Sequence, residues 1–196
     1  MSKRAETQTP IHPLMAQRWS PRALDETAEV RPEQLVALLE AARWAASYGN
    51  TQPARYLVGR RGEASFDRIL GTLNDGNKAW AHRAGALLIG VAVTRNEKGD
   101  VPYAEYGLGL ASQNLALQAV AEGLVVHQMA GFDPLAVRRE FELPDDAEPL
   151  VAIAVGTLAD PEVLGEDWRI ERERAPRSRI PLAEFAFTDR WGSPAV

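Results

Sequence analysis

Two uninterrupted apolar runs, "GALLIGVAV" at 85–93 and "PLVAIAVG" at 149–156, limit the folds open to this chain more than any other feature. A strand with one face in water alternates apolar and polar residues. A short continuous run bounded by Gly or Pro reads as a strand covered on both faces. The longer run is far too short to span a bilayer. Helices must therefore supply the cover. "RPEQLVALLEAARWA" spaces Leu35, Leu38, Leu39 and Ala42 as one helical face, with Pro32 in the permitted first turn. "AEYGLGLASQNLALQAVAEG" is the longest helical pattern and stops at Gly123, a usual capping residue. "SFDRILGTL" predicts a helix stopped by the turn signal "NDGN", and "PLAVRREF" predicts a short helix. "ARYLVGR", after the break at Pro53, and "LVVHQM" read as short strands. Helices and strands mix without a strict β-α-β rhythm, which favours an α+β or α/β sandwich over a barrel.

At 196 residues the chain suits one domain. The arginine-rich tail after Asp160 reads as an extended arm and not as a second domain. A net charge of −5 argues against a nucleic-acid binder, which normally shows a basic face. The absence of cysteine removes disulfides, thiolate metal sites and cysteine nucleophiles together. "MSKRAETQTP" lacks the apolar core of a signal peptide, so a cytoplasmic protein without membrane attachment is expected. His12, His82 and His127 lie far apart and show no metal-ligand spacing. No P-loop, nucleophile elbow or H-E-x-x-H is present. "GLGLAS" at 107–112 has Ser112 in the sixth position and no clear strand before it, so its small residues suit a close helix contact better than a dinucleotide.

Two segments remain that could hold a ligand. In "RWSPR", at 18–22, Pro21 drives Ser20 out of the α region. An extended chain then turns Arg18, Ser20 and Arg22 to one side, beside Trp19. Two guanidinium forks and a hydroxyl are the donors a phosphate monoester needs, although a solvated basic loop has the same composition. "SYGNTQP", at 47–53, offers amides and hydroxyls to a polar heteroaromatic ligand, and is equally composed of ordinary turn residues.

The order of five pieces decides between these readings: "RWSPR", "SYGNTQP", "NKAW", "AGFD" and "RSRIPL". The pattern, covering roughly residues 11 to 192, resembles the FMN-dependent nitroreductase family. The resemblance implies an α+β fold, a mixed, mainly antiparallel sheet flanked by helices in an intertwined homodimer. It implies FMN at the subunit interface, with the arm at about 160–196 ("LAEFAFTDRW" within it) reaching the partner. Carried over residue by residue, Arg18, Trp19, Ser20 and Arg22 would hold the FMN phosphate, completed by Arg177 and Arg179. Ser47, with Asn50 and Gln52, would touch the ring and ribityl chain, and Asn77 the ring. Gly131 and the backbone of Gln128, Met129 and Ala130 would lie close by, and Tyr48 would line the substrate pocket.

The implied activity is ping-pong hydride transfer from NADH or NADPH to a nitroaromatic, quinone or related electron-poor compound. Flavin carries that chemistry, so no catalytic side chain and no metal is expected. The alternatives are a divergent flavin enzyme, such as an enone or semialdehyde reductase or a user of reduced flavin, and a non-catalytic FMN-binding protein. Ala54, Ala130 and Trp80 depart from residues common in the family, which leaves the substrate unspecified.

Overall fold

The second strand, β2 (Ala86–Val93), is buried at every position but its last, and the architecture is organised around it. The computed structural model describes residues 3–196. Two helices precede the sheet, α1 (Pro13–Gln17) and α2 (Pro32–Arg43). Then come β1 (Ala54–Arg60), α3 (Ala64–Thr72), α4 (Asp75–Ala81) and β2. A two-residue ribbon, β3 (Arg95–Asn96) and β4 (Gly99–Asp100), leads to α5 (Ala104–Ala121). β5 (Val125–Met129), α6 (Pro134–Phe141), β6 (Ala147–Gly156) and α7 (Asp167–Arg174) complete the chain.

The four long strands form one sheet in the order β1-β2-β6-β5, with every pair antiparallel. The two apolar runs are the two central strands, as their composition requires. Alternate residues of these strands feed opposite cores. Leu87, Ile89 and Val91 of β2, with Ala152 and Ala154 of β6, pack with Phe66 and Ile69 of α3, Trp80 of α4 and Val137 of α6. Ala86 and Leu88, with Ile153 and Val155, pack with Leu35 and Leu38 of α2 and Ala111 and Leu115 of α5. Each such aliphatic side chain contributes roughly 1.5–3 kcal/mol when fully buried. The expected sandwich is thus a three-layer α/β/α arrangement around an antiparallel sheet.

Two elements differ from expectation. "NDGN" does not only end a helix; it starts one. Asn74 Oδ1 accepts from the backbone N–H of Asn77 at 3.0 Å and caps α4. Asn before a helical turn satisfies otherwise orphaned N–H groups, so the same residues serve turn and cap. The tail beyond Asp160 is not extended throughout, because Pro161–Leu164 form a 3₁₀ turn and α7 follows. Within the chain, the small face of α5 admits a proline: a Cβ on Gly107 would lie 2.7 Å from Pro53 Cγ. Gly109 faces open space. Among the described residues no helix is long and apolar enough to cross a membrane.

Candidate active site

The segment after α1 is extended, beginning at Arg18 (φ −60°, ψ 122°). Arg18 Nη1 donates to Ser20 Oγ at 3.4 Å, so these two side chains do share one side. Arg177 and Arg179 reach the same place from the opposite end of the chain. Burial, and then the Arg179 charge, push the Arg18 guanidinium below its usual range. Burial, then Arg18 and Arg179, act likewise on Arg177. None of the ion pairs among the described residues includes any of the three. Three converging cations without a counter-charge cost stability unless an anion joins them. Arg177 also acts as a strap: its Nη1 donates to the carbonyls of Lys3 (2.9 Å) and Ala16 (2.8 Å). Trp19 lies beside the N-terminal segment, its ring centroid 4.6 Å from Lys3 Nζ.

The backbone of this cradle is held from two sides. Glu173 of α7 is buried, and its Oε1 accepts from the N–H groups of Arg22 (2.7 Å) and Ala23 (3.0 Å). From β5, the His127 ring nitrogen Nδ1 lies 2.9 Å from the Pro21 carbonyl. A carbonyl can only accept, so Nδ1 carries the proton. His127 is 8% exposed and packs 4.7 Å from the Trp80 ring. Its pKa is lowered to about 4, first by burial and then by the Arg22 charge, with Arg172 adding to the depression and the Pro21 and Ser20 backbone opposing it. The sign of the linkage follows: the unfolded ring takes up a proton first, so stability present above pH 6.5 is lost as pH falls through about 4. The loss approaches about 3 kcal/mol. Thermal midpoints measured from pH 7 to pH 4 should fall more steeply for the wild type than for His127→Asn, which keeps a donor near Nδ1 and does not titrate.

Asn77 and Gly131 meet at the start of α4. Asn77 Nδ2 and Asn74 N both donate to the Gly131 carbonyl, at 2.9 and 3.0 Å. A Cβ on Gly131 would lie 2.7 Å from Asn77 Nδ2 and would also strike Asn74, so glycine is required by close approach. Of the neighbours named with Gly131, Met129 is buried in the core and Ala130 is exposed. Gln128 turns to the other side of the sheet, where Nε2 reaches the Ser112 carbonyl at 3.5 Å. Arg22 and Asn77 line one cavity together with Trp168, Arg169 and Arg172 of α7. Burial first, and then the Arg172 charge, push the Arg22 guanidinium below its usual range, with Glu173 opposing and Arg169 adding to the depression.

Ser47, Tyr48, Asn50 and Gln52 form a separate group. Gly49, Asn50 and Gln52 all have φ between +50° and +55°, a conformation that costs non-glycine residues energy. The turn is closed by Gln52 N donating to Ser47 Oγ at 3.0 Å. The buried Thr51 Oγ1 has no partner among the described residues. Ser47 and Tyr48 line an open cavity of about 410 Å3 with Tyr103, Tyr106 and Leu110. The cavity of Ser47 and Tyr48 shares no lining residue with the cavity of Arg22 and Asn77, and among the described residues no hydrogen bond joins this group to Arg18, Asn77 or Arg179. A larger, acidic concavity of about 540 Å3, with Asp100, Asp145 and Asp146 in its wall, shares no residue with either group.

Glu173, Arg169, Arg172 and Trp168 of α7 adjoin these groups, and the sequence did not single them out individually. The arginine density of the tail was their only signal.

The fold and its matches place the protein in the class of flavin oxidoreductases. The model of the Nitroreductase family matches residues 15–72 and 62–157, most of the sheet and its helices. The chain belongs to the nitroreductase family. It is 36% identical over 151 residues to an uncharacterised 15.4 kDa protein of Mycolicibacterium smegmatis, covering 71% of this chain and 99% of that protein. It is 28% identical over 163 residues to a Streptomyces coelicolor protein whose name proposes an NADH dehydrogenase/NAD(P)H nitroreductase, covering 72% and 80%. Among solved structures it resembles an oxidoreductase containing FMN, with TM-score 0.91, 31% identity and 98% of each chain covered.

Proposed function

We propose that the protein is a cytoplasmic FMN-dependent NAD(P)H oxidoreductase that works as a homodimer on nitroaromatics, quinones or related electron-poor oxidants. The observation that carries this reading is the meeting of Arg18, Arg177 and Arg179 from the two ends of the chain without a counter-charge. A phosphate monoester supplies the missing anion, and Ser20 Oγ, beside Arg18, adds a hydroxyl donor. The glycine-only approach at Gly131 lets Asn77 Nδ2 reach the Gly131 carbonyl, which fixes that side chain for contact with a ring. Bound FMN would supply hydride exchange, first with the nicotinamide and then with the oxidant, in ping-pong order.

The side chains would bind, orient and exclude water. Arg18, Ser20 and Arg179 would grip the phosphate, while Arg177 and Trp19 would hold the N-terminal segment beside it. Asn77, fixed through Gly131, would orient the ring, with Arg22 approaching from the cavity side and the backbone of 128–130 at its edge. Ser47, Asn50 and Gln52 of a second copy would close the site, with Tyr48 limiting access of water. The separation of the two groups within one chain supports a shared site. So do the apolar side chains that one copy leaves in water: Tyr103, which precedes α5, Tyr106 in its first turn, and Phe185 and Trp191 in the tail, which are 71% and 90% exposed. The chain is read as one domain whose tail, from about 160, extends onto the partner.

Purified protein should be yellow, release FMN on denaturation and be bleached anaerobically by NADH or NADPH. A colourless protein that takes up no FMN overturns the reading. FMN binding without bleaching by either nucleotide assigns a binding role instead.

A further inference from the structure

A cavity of about 190 Å3 opens beside the cradle, between Arg22 and Asn77 on one side and Trp168, Arg169 and Arg172 of α7 on the other. Three guanidiniums therefore face one small space. Arg169 has a partner in Glu166 at 3.0 Å, but neither Arg22 nor Arg172 enters an ion pair among the described residues. Glu173, the carboxylate that acts most on Arg22, already receives the two backbone N–H groups of Arg22 and Ala23. The wall stays positive. This cluster is distinct from the phosphate cradle, since none of Arg18, Arg177 and Arg179 lines this cavity.

Trp168 adds a flat apolar surface. Its indole is 55% exposed, its Nε1 donates to Glu166, and the Arg169 guanidinium lies 4.8 Å from the ring centroid. Two anchored polar contacts fix an aromatic plane beside two cations. Such a surface takes a planar ring carrying an anionic group, by stacking and by charge-assisted hydrogen bonds.

We propose that this cavity recognises the anionic end of a reactant, a ring compound bearing a phosphate or carboxylate, and that Arg169 and Arg172 select reactants by charge. The inference rests on the oxidoreductase reading and adds to it that α7 chooses the reactant and does not hold the cofactor. Two sources carry this chemistry: the 2′-phosphate of NADPH, and an acidic substituent on the oxidant.

FMN-loaded wild type, Arg169→Ala/Arg172→Ala and Arg169→Lys/Arg172→Lys should be titrated calorimetrically with NADP+ against NAD+, and with nitrobenzoate against its methyl ester. Each arginine removed should weaken the charged ligand about tenfold. The uncharged member of that pair should be unaffected, lysine should restore part of the loss, and FMN affinity should not change. A loss confined to NADP+ assigns the cavity to the nucleotide, and one confined to nitrobenzoate assigns it to the oxidant. Unchanged preference in both pairs overturns the proposal, as does a parallel fall in FMN affinity, which would make the arginines cofactor ligands. A wild type that takes up no FMN defeats the oxidoreductase reading; NADP+ binding that still depends on Arg169 and Arg172 would leave the cavity assignment standing.

Discussion

Replacing Arg18 and Arg179 together by alanine is expected to weaken FMN binding by roughly a hundredfold or more while leaving the apo chain folded. Each charge-assisted hydrogen bond contributes about 1.5–3 kcal/mol, so two lost guanidiniums suffice for this effect. The apo protein should not suffer, because its three cations crowd one another without a carboxylate to separate them. Its thermal midpoint should hold or rise, and the stabilisation that FMN gives the wild type should vanish at the same FMN concentration. Fluorescence titration with FMN and paired melting curves measure both. Arg177→Ala should behave differently. Its Nη1 already holds the Lys3 and Ala16 carbonyls, so its loss should lower the apo midpoint as well. If the double variant keeps wild-type FMN affinity, the phosphate does not lie between these residues.

Glu173→Ala should have the largest effect on stability among changes in the tail, about 2–5 kcal/mol. The buried carboxylate accepts from two backbone N–H groups, and alanine leaves both unpaired inside the protein. It also detaches α7 from the segment that carries Arg18 and Arg22. Glu173→Gln keeps an amide oxygen where Oε1 stood and should recover much of the loss. Chemical denaturation of the apo forms orders the three proteins. Equal stability of the alanine and glutamine variants would show that the two hydrogen bonds do not hold the segment.

The apolar runs made the central strands legible, and the bounds of β1 match "ARYLVGR" residue for residue. Helix α7 was hidden because its residues are nearly all charged. Only Glu173 is buried, so no apolar periodicity marks it. The cap at Asn74 was hidden for another reason, since Asn, Asp and Gly serve turns and helix starts alike. At the site, Pro21 correctly predicted an extended segment with Arg18 beside Ser20. Simple alternation placed Arg22 with them. The fold adds what alternation does not carry: Glu173 accepts from the backbone N–H groups at 22 and 23, and Trp168, Arg169 and Arg172 of α7 share a cavity with the Arg22 side chain. His127 gave no signal at all. A lone histidine in a strand acquires its role only when the fold brings Pro21 over it.

The strap made by Arg177 joins residues 174 positions apart, and the cation cluster likewise draws on both ends of the chain. Contacts so distant in sequence form late in folding. During synthesis, the sheet and both cores can assemble before Arg177 emerges, but the cation cluster cannot. A chain interrupted before Arg177 would keep both cores and lack the strap and the cluster together.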